Sequence, residues 1–374
     1  MKIKAAVVYE KGQPFVMEEL ELDDPGEGEL LVKVAACGVC HTDEGAQHQA
    51  IPVPLPAVLG HEGAGIIEKV GPGVTEFQVG DRVGFSFASC GKCEECLDGH
   101  PYACRDFNTI NFGGIMPDGT TRLHKDGKEI ATFFGQGTFA THAVVHTRQT
   151  IKVPYEDLDL GIVAPFGCGI QTGAGAVFHT LNPEFDSSIA VFGCGTVGMS
   201  AIMAARIAGC KNIIAVGGNP VSLKLAMELG ATHTVNRKEC KDIVGRIKEI
   251  TKGGCHYAID TSGVSDFVKK ALACVRFKGT AVVLGLTGDV TINIQEELMG
   301  EAKSLVGVVA WQPHDCLYDV FGDSTVLRSN LYPGLFLGND HQHEFFDDRL
   351  PGYWGAVSLW NDHLCFFAGS SRMG

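Results

Sequence analysis

Cys40-His41-Thr42-Asp43 and Gly60-His61-Glu62 lie within one stretch that runs to Val74, with further glycines at Gly65, Gly71 and Gly73. A thiolate and a neutral imidazole are donors that zinc prefers, and an acidic neighbour can act as an alternate ligand or orient the ring. Two protein donors do not make a site. The best third donor is Cys168, in Pro165-Phe166-Gly167-Cys168-Gly169. Three ligands leave one position open, the layout of a catalytic zinc. Taken singly, His61 reads as a polar residue at a strand end and Cys40 as a small buried thiol; the weight rests on the combination.

A second sulfur group is more local. Cys90, Cys93 and Cys96 fall three residues apart and Cys104 follows, with Gly91 and Gly99 available for tight turns. Four thiolates at this spacing can surround a tetrahedral Zn²⁺, and since protein fills every position such a zinc is structural. Two disulfides are the competing account, disfavoured because pairs at i and i+3 close poorly and a reducing compartment keeps thiols free.

The elements that must carry these groups differ along the chain. Up to about residue 150 the sequence shows short β patterns broken by glycine and proline: strands over Lys2 to Tyr9, Leu30 to Ala35 and Ala64 to Lys69, and a turn at Gly80-Asp81 entering another. This pattern predicts a β-rich, partly closed barrel. From about 170, strands alternate with helices. The apolar run Ser188 to Phe192 leads into Gly193-Cys194-Gly195-Thr196-Val197-Gly198 and then a helical pattern from Met199 to Ala208. Strand, G-x-G-x-x-G turn and helix together are the context a dinucleotide-binding turn requires, with the pyrophosphate at the helix N-terminus. Asn212 to Val216, His256 to Asp260 and Gly279 to Gly285 read as further strands and Pro220 to Leu229 as a helix, giving an α/β, doubly wound parallel sheet. At the end of the second strand, where a carboxylate commonly accepts the ribose 2′-hydroxyl of NAD, stand Gly217, Gly218 and Asn219, with Lys224 as the nearest base. NAD or NADP, without commitment, is the cofactor expectation.

Composition sets bounds on partners. A chain of 374 residues predicts about two domains. Its net charge of −14 argues against a nucleic-acid or anionic-membrane surface. The N-terminus turns polar too early for a secretion signal, and no apolar run approaches a membrane span. A cytoplasmic location is the expectation, with the fourteen cysteines reduced or metal-bound. Beyond residue 310 the texture changes: all three tryptophans (Trp311, Trp354, Trp360) lie there, no lysine follows Lys303, and helical periodicity is lost. His341-Gln342-His343-Glu344 reads as incidental, and the segment as a divergent or frame-shifted C-terminus.

The run Gly60-His61-Glu62, Gly65, Gly71, Val74 resembles the zinc signature of the medium-chain alcohol dehydrogenases. The four cysteines resemble that family's structural-zinc lobe, placed at about 88–106. Residues 111–119 and 134–142 (Asn111-Phe112-Gly113-Gly114, Pro117-Asp118-Gly119, Phe134 to His142) look like a segment of its aryl-alcohol (benzyl alcohol) members. The resemblance covers residues 1 to about 309. It implies a GroES-like catalytic domain (1–169), a Rossmann coenzyme domain (170–309) and a segment, 310–374, that should return to the catalytic domain but is atypical. It further implies that Cys40, His61 and Cys168 hold a catalytic zinc, with Glu62 as occasional fourth ligand and Asp43 orienting His61. Thr42 would receive the substrate proton, His41 would face the pyrophosphate, and Thr172 and Val197 would pack on the nicotinamide. The histidine that extends the relay in relatives is replaced by Gly45, leaving His48 or water. The implied assembly is a homodimer or homotetramer acting on a small alcohol or aldehyde. Three functions follow: an aryl or allylic alcohol dehydrogenase with NAD(P), a family member acting on a polyol or a thiol–formaldehyde adduct, or a zinc- and nucleotide-binding protein of little turnover.

Overall fold

The computed structural model describes residues 1–309, 356–360 and 363–364. These fall into two compact units that divide between Cys168 and Gly169.

The first unit is built from β1 (Lys2–Val8), β2 (Val16–Leu22), β3 (Glu29–Gly38), β4 (Ala57–Val58), β5 (Glu62–Val70), β6 (Arg82–Phe85), β7 (Leu123–Lys125), β8 (Lys128–Thr132), β9 (His142–His146) and β10 (Thr150–Lys152), with short helices α1 (His41–Gln47), α2 (Glu94–Leu97), α3 (Phe107–Phe112) and α4 (Leu160–Val163). Strands β1, β2, β7, β8 and β4 close a barrel, and a second sheet runs β10-β6-β5-β3, with β9 also on β3. Alternation in β3 sends Leu30, Val32 and Val34 inward, against Ile67, Val83, Phe85, Ala143 and Val145. Each such fully buried aliphatic contributes about 1.5–3 kcal/mol. The register has a chemical consequence. Strands β3 and β5 are antiparallel, with Cys37 opposite Gly63 and Gly38 opposite Glu62. The residues that leave β3 and those that enter β5 therefore meet at one end of the sheet.

The second unit is a six-stranded sheet of β11 (Ser188–Phe192), β12 (Asn212–Gly217), β13 (His233–Asn236), β14 (Cys255–Asp260), β15 (Val275–Val283) and β16 (Ser304–Gly307), with α5 (Gly169–Gly175), α6 (Thr196–Ile207), α7 (Pro220–Leu229), α8 (Ile243–Thr251) and α9 (Ser265–Cys274). Its order is β13-β12-β11-β14-β15-β16, every pairing parallel. That is the doubly wound order, whose ligands bind beyond the carboxyl ends of the strands. All five residues of β11 are buried, as a central strand covered on both faces requires. Two boundaries differ from the sequence reading. Helix α6 starts at Thr196, because Gly195 is extended and acts as its cap. Strand β15 starts at Val275, with a register irregularity opposite Cys255–Tyr257, so only its second half has a regular strand pattern.

Finally, β17 (Ala356–Trp360) pairs antiparallel with β3, Ala356 opposite Gly38, and with β18 (His363–Leu364). The readings made at Trp311, at 341–344 and at Trp354 lie outside the described residues. Among the described residues, no single helix is long and apolar enough to cross a membrane.

Candidate functional site

The meeting of β3 and β5 assembles the first cluster. Cys40 follows β3 and caps α1, His61 immediately precedes β5, and Glu62 is its first residue. Cys168 is brought in from the end of the 3-10 turn Ala164–Gly167. One donor atom from each of Cys40, His61, Glu62 and Cys168 lies within 4.8 Å of all the others.

Asp43 positions two of these donors. Its Oδ2 accepts from the Cys40 amide at 3.0 Å, and its Oδ1 accepts from the Gly60 amide and from His61 Nδ1, both at 3.0 Å. With Nδ1 committed to Asp43, the other ring nitrogen presents its lone pair. That atom, His61 Nε2, is buried without a hydrogen-bond partner. Such an orphan is costly unless something binds it. Gly38 makes room for the carboxylate, since a Cβ there would lie 2.0 Å from Glu62 Oε2.

The donor geometry fits zinc. Ligand bonds of about 2.3 Å in a tetrahedron set two sulfurs about 3.8 Å apart, and Cys40 Sγ and Cys168 Sγ stand 3.9 Å apart. Electrostatics agree. Cys40 is pulled well below the usual thiol range, chiefly by the hydrogen bond from Cys168 and, against burial, by His61. Cys168 is pushed well up by that same hydrogen bond and by burial. One proton is thus shared by a buried pair that needs a cation before both sulfurs can ionise. Burial opposes charge on His61, but Asp43 and Cys40 outweigh it and raise its pKa, so a metal would gain the Nε2 lone pair by displacing a proton.

Two features here escaped the sequence reading. The ring of Phe134 stacks on His61 at 4.6 Å between centroids, with Phe133 edge-on at 5.6 Å. Phe134 does this from a left-handed backbone, φ 55°, which costs on the order of 1–2 kcal/mol. Only its neighbour Gly135 hinted at an unusual turn. Thr42 lies in the first turn of α1, its hydroxyl oxygen 3.6 Å from Cys40 Sγ. His41, also in that turn, is exposed. His48 caps the far end, exposed, and donates Nδ1–H to the Glu44 carbonyl at 3.0 Å. Six positions along a helix amount to about 9 Å of rise and two-thirds of a turn around the axis, so His48 is carried away from Thr42.

The second cluster holds the sulfurs of Cys90, Cys93, Cys96 and Cys104 within 4.8 Å of one another. All four are free thiols. Cys90 Sγ and Cys96 Sγ are 3.9 Å apart, again the tetrahedral spacing and not the roughly 2.05 Å of a disulfide. Backbone amides point at the sulfurs: Lys92 and Cys93 donate to Cys90 at 3.5 and 3.3 Å, and Cys90 donates to Cys104 at 3.4 Å. Hydrogen bonds from Arg105 and Cys96 hold Cys93 at about 6, while burial pushes Cys104 up to about 12. Arg148, which packs on Gly91 and feels the charge of Cys90, Cys96 and Cys104, supplies a nearby cation.

In the second unit the glycine turn has the room its motif needs. Gly193 has φ +101°, and a Cβ at Gly198 would lie 2.0 Å from the Gly193 carbonyl. Gly195 faces open space, and Thr196 and Val197 open α6, whose first amides have no partner within the helix. Helix α5, which carries Thr172, packs against this turn at Gly173, where a Cβ would meet the Val197 carbonyl at 2.1 Å. At the strand end, Gly217 closes β12 and Asn219 caps α7 by accepting from the Val221 amide at 2.9 Å. Lys224 is exposed and faces Glu228, 3.9 Å away.

Comparison with known proteins matches two families to separate stretches of the chain. Residues 26–155 match the family described as alcohol dehydrogenase GroES-like domain, and residues 196–320 the zinc-binding dehydrogenases. The chain is 42% identical over 285 residues to a geraniol dehydrogenase of Castellaniella defragrans, covering 76% of each chain. It is 36% identical to an S-(hydroxymethyl)glutathione dehydrogenase of Paracoccus denitrificans, covering 76% of this chain and 79% of that one. Among solved structures, the benzyl alcohol dehydrogenase of Acinetobacter calcoaceticus superposes with a TM-score of 0.83 at 39% identity, covering 89% of this chain and 91% of that one. The chain belongs to the zinc-dependent medium-chain alcohol dehydrogenases.

Proposed function

We propose that this chain interconverts a primary aromatic or allylic alcohol and its aldehyde with NAD(P) as hydride carrier. The observation that carries the reading is the buried donor set Cys40, His61 and Cys168, with His61 Nε2 left as an orphan lone pair. We assign two zinc ions per chain, a catalytic one to that set and a structural one to Cys90, Cys93, Cys96 and Cys104.

A zinc ion at the first cluster supplies Lewis acidity that lowers the pKa of an alcohol, and the nicotinamide supplies the hydride acceptor. The remaining work belongs to the protein's own groups. Asp43 fixes the imidazole tautomer, so that Nε2 and not Nδ1 is the donor. Glu62 stands ready as a fourth donor when substrate is absent. Phe133 and Phe134 lock the His61 ring and keep water from its flanks. Thr42 Oγ1, beside Cys40, receives the alcohol proton. The exposed His48, turned to the Glu44 carbonyl, favours water as the next carrier.

The substrate class is supported by the geraniol and benzyl alcohol dehydrogenases among the relatives, one an allylic and one an aromatic alcohol by name. A second reading, oxidation of a thiol–formaldehyde adduct, is supported by S-(hydroxymethyl)glutathione dehydrogenases at 36–38% identity. Initial rates with benzyl alcohol, geraniol and S-(hydroxymethyl)glutathione, each with NAD and NADP, separate the two. The leading reading expects kcat/KM for benzyl alcohol or geraniol at least tenfold above that for the adduct. The reverse order overturns it.

A further inference from the structure

The parallel sheet brings a cation to the end of β12 that the spacing of the motif does not count. Strand β13 lies beside β12 with Asn236 opposite Gly217, and the next residue, Arg237, donates its amide to the Gly217 carbonyl at 2.8 Å. Arg237 therefore stands beside Gly217-Gly218, at the carboxyl end of the sheet where an adenosine ribose is received.

The two glycines mark out what surrounds that point. A Cβ at Gly217 would lie 3.0 Å from Cys194 Sγ and 3.1 Å from Leu223 Cδ2, so the place of the usual carboxylate is taken by a thiol that burial keeps protonated, at about 12. A Cβ at Gly218 would lie 2.7 Å from Arg237 Nε and 3.4 Å from its Cζ. The guanidinium thus occupies the direction in which a side chain from the strand end would project. Phe267 supports it from below, its ring 5.7 Å from Arg237 Cζ. Among the described residues Arg237 forms no ion pair. Glu239, two residues on, is held by Asn236 Nδ2 at 2.6 Å. Where an NAD site presents an anion, this chain presents an exposed, stacked guanidinium, whose fork of donors suits a phosphate.

We propose that Arg237 binds the adenosine 2′-phosphate and makes this enzyme select NADP over NAD. The proposal rests on the reading of the Gly193–Gly198 turn as a dinucleotide site. Lys224, the base nearest in sequence, is exposed on α7, 3.9 Å from Glu228, and the proposal gives it no part.

The test uses the adenylate halves of the cofactors, so that no turnover enters. Calorimetric titration of the full-length protein with 2′,5′-ADP and with 5′-AMP should show the first binding about tenfold tighter or more, the scale of hydrogen bonds to a charged group. Arg237→Ala should reduce that ratio to about threefold or less with 5′-AMP affinity unchanged, Arg237→Lys should retain part of it, and Lys224→Ala should retain all of it. Gly218→Asp, which sets a carboxylate against the guanidinium, should abolish the preference. A wild type that binds 5′-AMP as tightly as 2′,5′-ADP, or a preference that survives Arg237→Ala or is lost in Lys224→Ala, overturns the proposal and leaves the dinucleotide site standing. Binding of neither nucleotide overturns both.

Discussion

On the proposed assignment, the two sulfur clusters of the first unit put the same metal chemistry to opposite ends. One is made from a single short segment, is all thiol, and is hydrogen-bonded by its own backbone amides. The other is gathered from Cys40, His61, Glu62 and Cys168, far apart in sequence, mixes three donor types, and is aligned by a buried carboxylate. A closed set of four strong donors has nothing left to offer a substrate, whereas a set of three with an optional fourth can exchange that fourth for one. The lesson is that the supports distinguish the clusters as clearly as the ligands do: amides that cradle sulfur in the four-cysteine cluster, a side chain that sets a tautomer in the other.

The comparison breaks most visibly by removing a ligand from the closed cluster. Cys93→Ser leaves three thiols around a metal whose binding is coupled to folding. We expect the midpoint of thermal unfolding to fall by more than about 10 °C, or the protein to become insoluble, a loss read by circular dichroism. In the open cluster the largest effect should come from the proton acceptor: Thr42→Ala should lower alcohol oxidation by about 10²-fold or more, with zinc content unchanged. Full activity in that variant with its zinc in place would remove Thr42 from the mechanism. Next comes the support. Asp43→Asn keeps the shape but lets the amide present a donor to His61, and should weaken zinc retention by about 10- to 100-fold against a chelator, leaving the Cys90–Cys104 cluster loaded. The smallest effect is expected at His48. Because its Nδ1 is spent on the Glu44 carbonyl at the far end of α1, His48→Ala should keep kcat within about twofold and leave the pH profile in place; a loss concentrated at low pH would return His48 to the relay.

The difference between the clusters also explains what could be read from the sequence. Cys90 to Cys104 is legible because all of its ligands lie in one loop. The strand from Ser188 to Phe192 and the turn after it are legible because a fully apolar run and three glycines with fixed spacing have few other uses. Cys168 was legible as the best remaining donor, and family resemblance then supported it, since no local pattern links it to Cys40. Phe134 was hidden because a left-handed phenylalanine has no sequence signal beyond an adjacent glycine. Arg237 was hidden by a four-residue strand, β13, too short for its alternation to register, and its place beside Gly217 is set by sheet order and not by spacing along the chain. Strand β17 likewise owes its place to the free edge of β3 more than to a pattern of its own.

The most direct test of the division into an open and a closed cluster is the zinc content of the native protein, measured by mass spectrometry of the metal after exhaustive removal of loosely held ions. Two equivalents per chain are expected in the wild type and one in a folded Cys168→Ser variant. A stable wild-type chain that holds a single zinc would contradict the account.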